Sequence, residues 1–172
     1  MMFRQPAIRI LVLTAFMTGT AISGAARAVI SADNRYQTPT LDRSEDIAGP
    51  DANGNGVRDD LDDYINGLPD TEPQKQALRQ SYSTLRSLLL LDTTNTTVVL
   101  DGMRRTGASV SCMYARYSED EAARMHQRFK EMEVYSMNTR ERTMAYARFN
   151  RAASGHSGVL PRGDGCEGGA EN

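Results

Sequence analysis

The chain has 172 residues, a formal charge of −2 and two cysteines. A net acidic chain without a lysine-rich stripe offers nucleic acid little to hold, which excludes a nucleic-acid-binding role as the working reading. The length suits one domain with a modest core.

Arg4 and Arg9 precede an apolar run from Ile10 to Ile22 that is interrupted only by Thr and Gly, and Ser23-Gly24-Ala25-Ala26-Arg27-Ala28 follows. A basic start, a short apolar run and an A-x-A site predict a secretory signal peptide over residues 1–28, cut after Ala28. The run is shorter than the roughly 20 apolar residues a membrane helix needs, and no later segment approaches that length. Even Leu88 to Leu91 is bounded by Ser87 and Asp92. The expectation is a periplasmic or secreted protein with no membrane span after signal removal. No cysteine follows the apolar run, so lipid attachment there is excluded.

Cleavage removes three arginines and no acid, taking the formal charge from −2 to −5. The remaining charge is uneven. Residues 42–70 hold nine carboxylates against Arg43 and Arg58, whereas 124–151 holds seven Arg or Lys against three Glu. Such asymmetry reads first as solvated faces. The cysteines, Cys112 and Cys166, read as one disulfide on the grounds of an oxidising compartment and an even count. No C-x-x-C and no histidine at zinc-ligand spacing competes with that reading.

In chain order, residues 29–48 show no apolar period and read as a disordered leader, with order beginning at Gly49-Pro50. Leu61, Tyr64, Ile65 and Leu68 fall at helical spacing, and Gly67 with Pro69 stops that short helix, so 49–70 forms one unit with the loop before it. Thr71-Glu72-Pro73 opens a second helix with the stripe Leu78, Tyr82, Leu85, Leu88, Leu89. Asn95 caps a third, carrying Val99, Met103, Thr106, Val110, Met113 and Tyr117. Gly102, Gly107 and Ala108 inside it lower helix propensity but allow a close neighbour. The β-branched residues 96–99 are the best strand candidate, outweighed by a stripe that continues for five turns. Ser118 with Glu121 forms a capping box for a fourth helix bearing Met125, Phe129, Met132 and Tyr135. Asn138 with Glu141 repeats the signal and predicts a break at 136–138 and a last helix with Met144, Ala147 and Ala152. The helical domain thus runs over 71–155, and 156–172 reads as a flexible glycine-rich tail held at most through Cys166. The predicted fold is all-α: a small bundle of four to five helices behind an EF-hand-like loop.

One constellation carries chemistry. Asp51-Ala52-Asn53-Gly54-Asn55-Gly56-Val57-Arg58-Asp59-Asp60-Leu61-Asp62 has oxygen side chains at loop positions 1, 3 and 5, glycine at 6, a backbone carbonyl at 7, an acid at 9 and a carboxylate at 12. Calcium takes six to eight oxygen ligands, and alternating residues of a tight loop aim their oxygens inward. Asp51, Asn53, Asn55, Val57, Asp59 and Asp62 are therefore the candidate Ca2+ ligands. The bland alternative is a turn-rich linker, since Asn-Gly and Asp-Asp are ordinary turn and cap residues. A match at all these positions together is much harder to reach by chance than one Asn-Gly turn.

The stretch resembles the calcium loops of dockerin modules and thrombospondin type 3 repeats, which tolerate Asn at positions 3 and 5 and Asp at 12. Pro50 blocks a long entering helix, so the likeness is to a loop-helix half and not to a full EF-hand. Dockerins duplicate the loop to present a cohesin-binding face; one loop here argues against cohesin as a partner. Asn53 to Asp60 followed by Leu61-Asp62-Asp63-Tyr64-Ile65, and later Asn138 to Arg142 with Ala153-Ser154-Gly155, is also similar to a signature of small exported bacterial proteins. That resemblance implies no activity.

Other motifs weigh less. His126 and His156 lack a second imidazole or thiolate nearby, and Ser157 lacks the final glycine of a nucleophile elbow. Arg162-Gly163-Asp164 stands in the tail, and Asn95-Thr96-Thr97 is a glycosylation acceptor only where the source modifies exported chains. The later methionines read as core filler. The sequence thus favours an exported calcium-binding helical protein with a structural or protein-interaction role, compatible with a protein partner it does not name. An enzyme with an unrecognised active site and a calcium sensor or buffer are the alternatives; no catalytic motif supports the first, and a single loop weakens the second.

Overall fold

The computed structural model describes residues 38–158 and 160–167. The predicted signal peptide and residues 29–37 of the leader lie outside them. Among the described residues the protein is all-α, with five helices and no strand.

Helix α1 spans Asp59–Gly67, with Asp59, Asp60 and Asp62 in its first turn facing the positive end of the helix dipole. It buries Leu61, Tyr64 and Ile65 and stops where Leu68, preceding Pro69, turns extended. Helix α2 (Glu72–Leu89) starts with Pro73 in its first turn and a capping box of Thr71 and Gln74. It packs against all four other helices. Helix α3 (Thr96–Arg116) is capped by Asn95, whose side chain accepts from the Thr97 and Val98 amides, so the β-branched stretch is helical. A Cβ on Gly102 would lie 2.8 Å from a Leu91 methyl and 2.9 Å from a Leu88 methyl, which is why glycine stands where α3 crosses the end of α2.

Ser118 and Glu121 form the predicted capping box, opening a 3-10 turn at Glu119–Glu121 that leads into α4 (Ala122–Ser136). Helix α5 (Arg140–Ala153) follows the predicted break, but its cap is Thr139, whose hydroxyl accepts from the Arg142 amide at 3.3 Å. Asn138 is used elsewhere: its amide donates to the Asp42 carbonyl at 2.7 Å and its carbonyl accepts from Arg142 at 2.9 Å. The buried face of α5 also departs from the predicted stripe. It consists of Arg142, Ala145 and Phe149, while Met144 is exposed.

The core joins Leu61, Ile65, Leu78, Tyr82, Met113 and Met125 to a second group of Leu85, Leu88, Val99 and Phe149. Inside it lie charges that the sequence placed on solvated faces: Arg58, Arg128 and Arg142 are 4%, 3% and 0% exposed. Burying a charge is unfavourable unless it is fully hydrogen-bonded, and each of these has partners. Arg142 donates to the carbonyls of Asp42 (2.7 Å), Asp46 (2.8 Å) and Ile47 (3.2 Å) and to the Asp42 carboxylate (2.6 Å). Arg58 grips Asp60 at 2.5 and 2.8 Å, and Asp60 in turn accepts the Asp42 amide at 2.7 Å. Arg128 binds Asp70 at 2.7 Å and Glu131 at 2.8 Å; Tyr117 donates to Asp70 at 2.9 Å and Tyr64 to Glu131 at 2.6 Å. Burial first, and then Glu131, pushes the Tyr64 hydroxyl well above its ordinary range, so it stays a donor.

These bonds correct the reading of a disordered leader in its described part. Residues 38–48 have no helix or strand, yet Arg142 clasps three of their carbonyls. The tail is likewise held by more than its cysteine. Cys112 and Cys166 form a disulfide with Cα atoms 4.7 Å apart, Gln80 donates to the Gly165 carbonyl at 2.8 Å and accepts the Glu167 amide at 2.9 Å, and Arg116 pairs with Asp164 at 2.9 Å. No helix among the described residues is long and apolar enough to cross a membrane.

Three predictions follow from this packing. Arg142→Ala withdraws the shared donor of the Asp42, Asp46 and Ile47 carbonyls and of the Asp42 carboxylate, although Asn138 and Ser44 still bond Asp42, and should cost about 1–3 kcal/mol in denaturant unfolding while exposing residues 38–48 to proteolysis. Reducing the disulfide, which spans 54 residues, should lower stability by about 4 kcal/mol in the chain-entropy limit, read as a shift of the urea midpoint with and without reductant. Burial opposes the charge of Asp42, but hydrogen bonds from Arg142 and Ser44 prevail and hold its carboxyl at about 2 against an ordinary 3.8. A depressed folded pKa makes this contribution fully present above the unfolded value and lost as pH falls through the folded one. Thermal melts in acid should show that loss, with a shallower slope in Asp42→Asn.

Candidate functional site

The chain enters the loop through Pro50, whose carbonyl accepts the Asp59 amide at 2.9 Å and so closes the loop across its base. Inside, side chains bond amides a few residues ahead. The Asp51 carboxylate accepts the Gly56 amide at 3.0 Å, Asn53 accepts that of Asn55 at 3.1 Å, and Asn55 accepts that of Val57 at 2.8 Å. Gly56 has φ +82, a conformation that glycine adopts without strain, which is what loop position 6 requires. Val57 buries its side chain in the core, leaving only its backbone to the loop.

Three of the six predicted ligands have interlocked side chains. Asn53 and Asn55 both donate to one oxygen of Asp62, at 3.2 and 3.0 Å, and one oxygen of Asp51, Oδ1, is buried without a hydrogen-bond partner among the described residues. Asp59 is engaged differently: its Oδ1 accepts the Ala52 amide at 2.9 Å. Val57 takes part through the backbone amide that Asn55 holds.

Comparison with family models, curated proteins and solved structures finds no match to this chain. The site therefore stands on its own geometry, and that geometry contains two groups the sequence reading overlooked. Arg79 of α2 donates to Asp62 at 2.8 Å, and Arg86, two turns on, lies 3.4 Å from Asp51. Residues seven apart share a helix face, so the spacing of these arginines was the available signal. It could not be used without knowing that this face looks onto the loop. Arg79 is held further by Glu72 at 3.1 Å and by the Asn66 side chain. Burial disfavours the Asp62 charge, yet the bond from Arg79, followed by those from Asn53 and Asn55, keeps its carboxyl below the ordinary carboxylate value.

The fit to a divalent cation is thus mixed. Asp51 fits position 1: one oxygen is fixed by Gly56 and the other is free of hydrogen bonds. Asn53 and Asn55 turn their amide nitrogens toward Asp62, whereas an ion there would need their oxygens. No group of three or more His, Cys, Asp or Glu among the described residues is gathered so as to hold a metal ion. A cation at the loop would accordingly compete with Arg79 for Asp62. Arg79→Gln removes that competing charge and should tighten calcium binding about fivefold, on the order of 1 kcal/mol for one nearby charge. Paired calorimetric titrations of the two proteins check this.

Proposed function

We propose that the protein is an exported, calcium-binding helical protein whose loop, Asp51 to Asp62, is ordered by Ca2+ in a structural or protein-interaction role. Asp51 carries the reading: its carboxylate is tied to the Gly56 amide by one oxygen and keeps the other buried and unpartnered. Asp51, Asn53, Asn55, the Val57 carbonyl, Asp59 and Asp62 would hold the ion, which supplies a fixed positive centre and no reactivity. The disulfide and the predicted signal peptide suit an oxidising space outside the cytoplasm. The resemblance to single dockerin-like and thrombospondin-like loops of small exported proteins points the same way. Calcium occupancy would then couple to the fold through α1, which begins at Asp59 and contributes Leu61 and Ile65 to the core.

A second reading rests on Arg79 and Arg86. Their contacts with Asp62 and Asp51 make them the resident counter-charges of a loop that needs no ion. Calcium titration separates the two. Only three carboxylates would face the ion, and the short Asp62 replaces the usual Glu, so the dissociation constant should be on the order of 0.1–1 mM, the range of extracellular modules. A tenfold excess of calcium over that constant should raise stability by about 1.4 kcal/mol, and Asp51→Ala should abolish both heat and stabilisation. No heat and no stabilisation at about 10 mM calcium, well above that range, would leave the arginine-neutralised loop as the answer.

A further inference from the structure

Away from the loop, α2 packs closely on both α3 and α4, while α3 packs closely on α5 and meets α4 where Tyr114 faces Phe129, ring centroids 6.4 Å apart. The gap they leave is a half-open cleft of about 220 Å3 over the middle of α2. Leu85, Val110, Phe129 and Met132 form much of its wall. Two of its hydroxyls are already used: Thr106 donates to the Gly102 carbonyl at 2.9 Å and Ser109 to the Thr106 carbonyl at 3.0 Å. Ser81 differs. It lines the cleft at 2% exposure, and its Oγ has no hydrogen-bond partner among the described residues. A buried hydroxyl in that state is unfavourable, and a ligand that pairs with it, once the Ser81 side chain turns its Oγ out to the cleft, removes the cost.

We propose that this cleft binds a small neutral molecule, mostly apolar and bearing one hydroxyl, with that hydroxyl on Ser81. The size follows from volume: a dry apolar cavity of about 150 Å3 accepts benzene, so this cleft has room for a ring with a short substituent. The charge follows from Glu133, an exposed carboxylate on the rim that disfavours anions. The larger cleft beside the disulfide lacks a comparable feature, because its arginines Arg79 and Arg116 are committed to Asp62 and Asp164.

The test uses 4-ethylphenol and ethylbenzene, titrated into the isotope-labelled full chain and followed by amide chemical shifts. Both should produce saturable shifts around Ser81, Val110 and Met132, with the phenol binding about fivefold more tightly through its extra hydrogen bond. Ser81→Ala should reduce the phenol to the affinity of ethylbenzene, and Val110→Phe, which fills the cleft, should abolish both. Shifts that map elsewhere, or equal affinities of the two probes for the unaltered protein, would overturn the proposal. Those two results are read on the unaltered chain and hold even where a variant fails to fold.

Discussion

Everything between residue 38 and the first helix depends on one buried cation. The Arg142 guanidinium is withdrawn from water and compensated by the carbonyls of Asp42, Asp46 and Ile47, the Asp42 carboxylate and Asn138. A buried charge stripped of such partners is strongly destabilising, whereas a fully bonded one ties together segments far apart in sequence. Here it joins α5 to a stretch about a hundred residues earlier. The second tie, Arg58 on Asp60 and Asp60 on the Asp42 amide, carries the constraint into the start of α1. The loop from Asp51 to Asp62 is thus clamped at both ends before any ligand is considered.

That clamping decides what the loop can do. Its entry is fixed through Ile47 and Ala48, the latter accepting from Arg86 at 2.8 Å, and its exit is the first turn of a helix whose apolar face is in the core. A cation arriving at Asp51 and Asp62 would act on side-chain amides and on Arg79, not on the path of the chain. The affinity should therefore reflect a local exchange of one positive charge for another. Coupling to the rest of the fold would run through α1 and through α2, on which Arg79 and Arg86 sit.

The helices were largely legible in the sequence because their starts are written in local chemistry. Thr71 with Gln74, Asn95 with the Thr97 and Val98 amides, and Ser118 with Glu121 all act within one turn. The disulfide was legible for a different reason, the even count in an oxidising context. What escaped reading was non-local. Nothing near Arg142 marks it as buried, since its partners lie almost a hundred positions away. An arginine at that site also hid the true inner face of α5, leading to Met144 in place of Ala145 and Phe149. Asn138 resembled a cap because caps and long-range donors use the same side chain. For the loop, the turn at Gly56 was readable; the two arginines opposite it were not.

The most direct measurement is hydrogen–deuterium exchange of the protein with and without about 10 mM calcium, a concentration above the extracellular-module range. Calcium binding at the loop should slow exchange at the amides of 51–62, extending to the first turn of α1, with no such change in Asp51→Ala. Identical exchange in both conditions would rule that out and leave Arg79 and Arg86 as the counter-charges of Asp62 and Asp51.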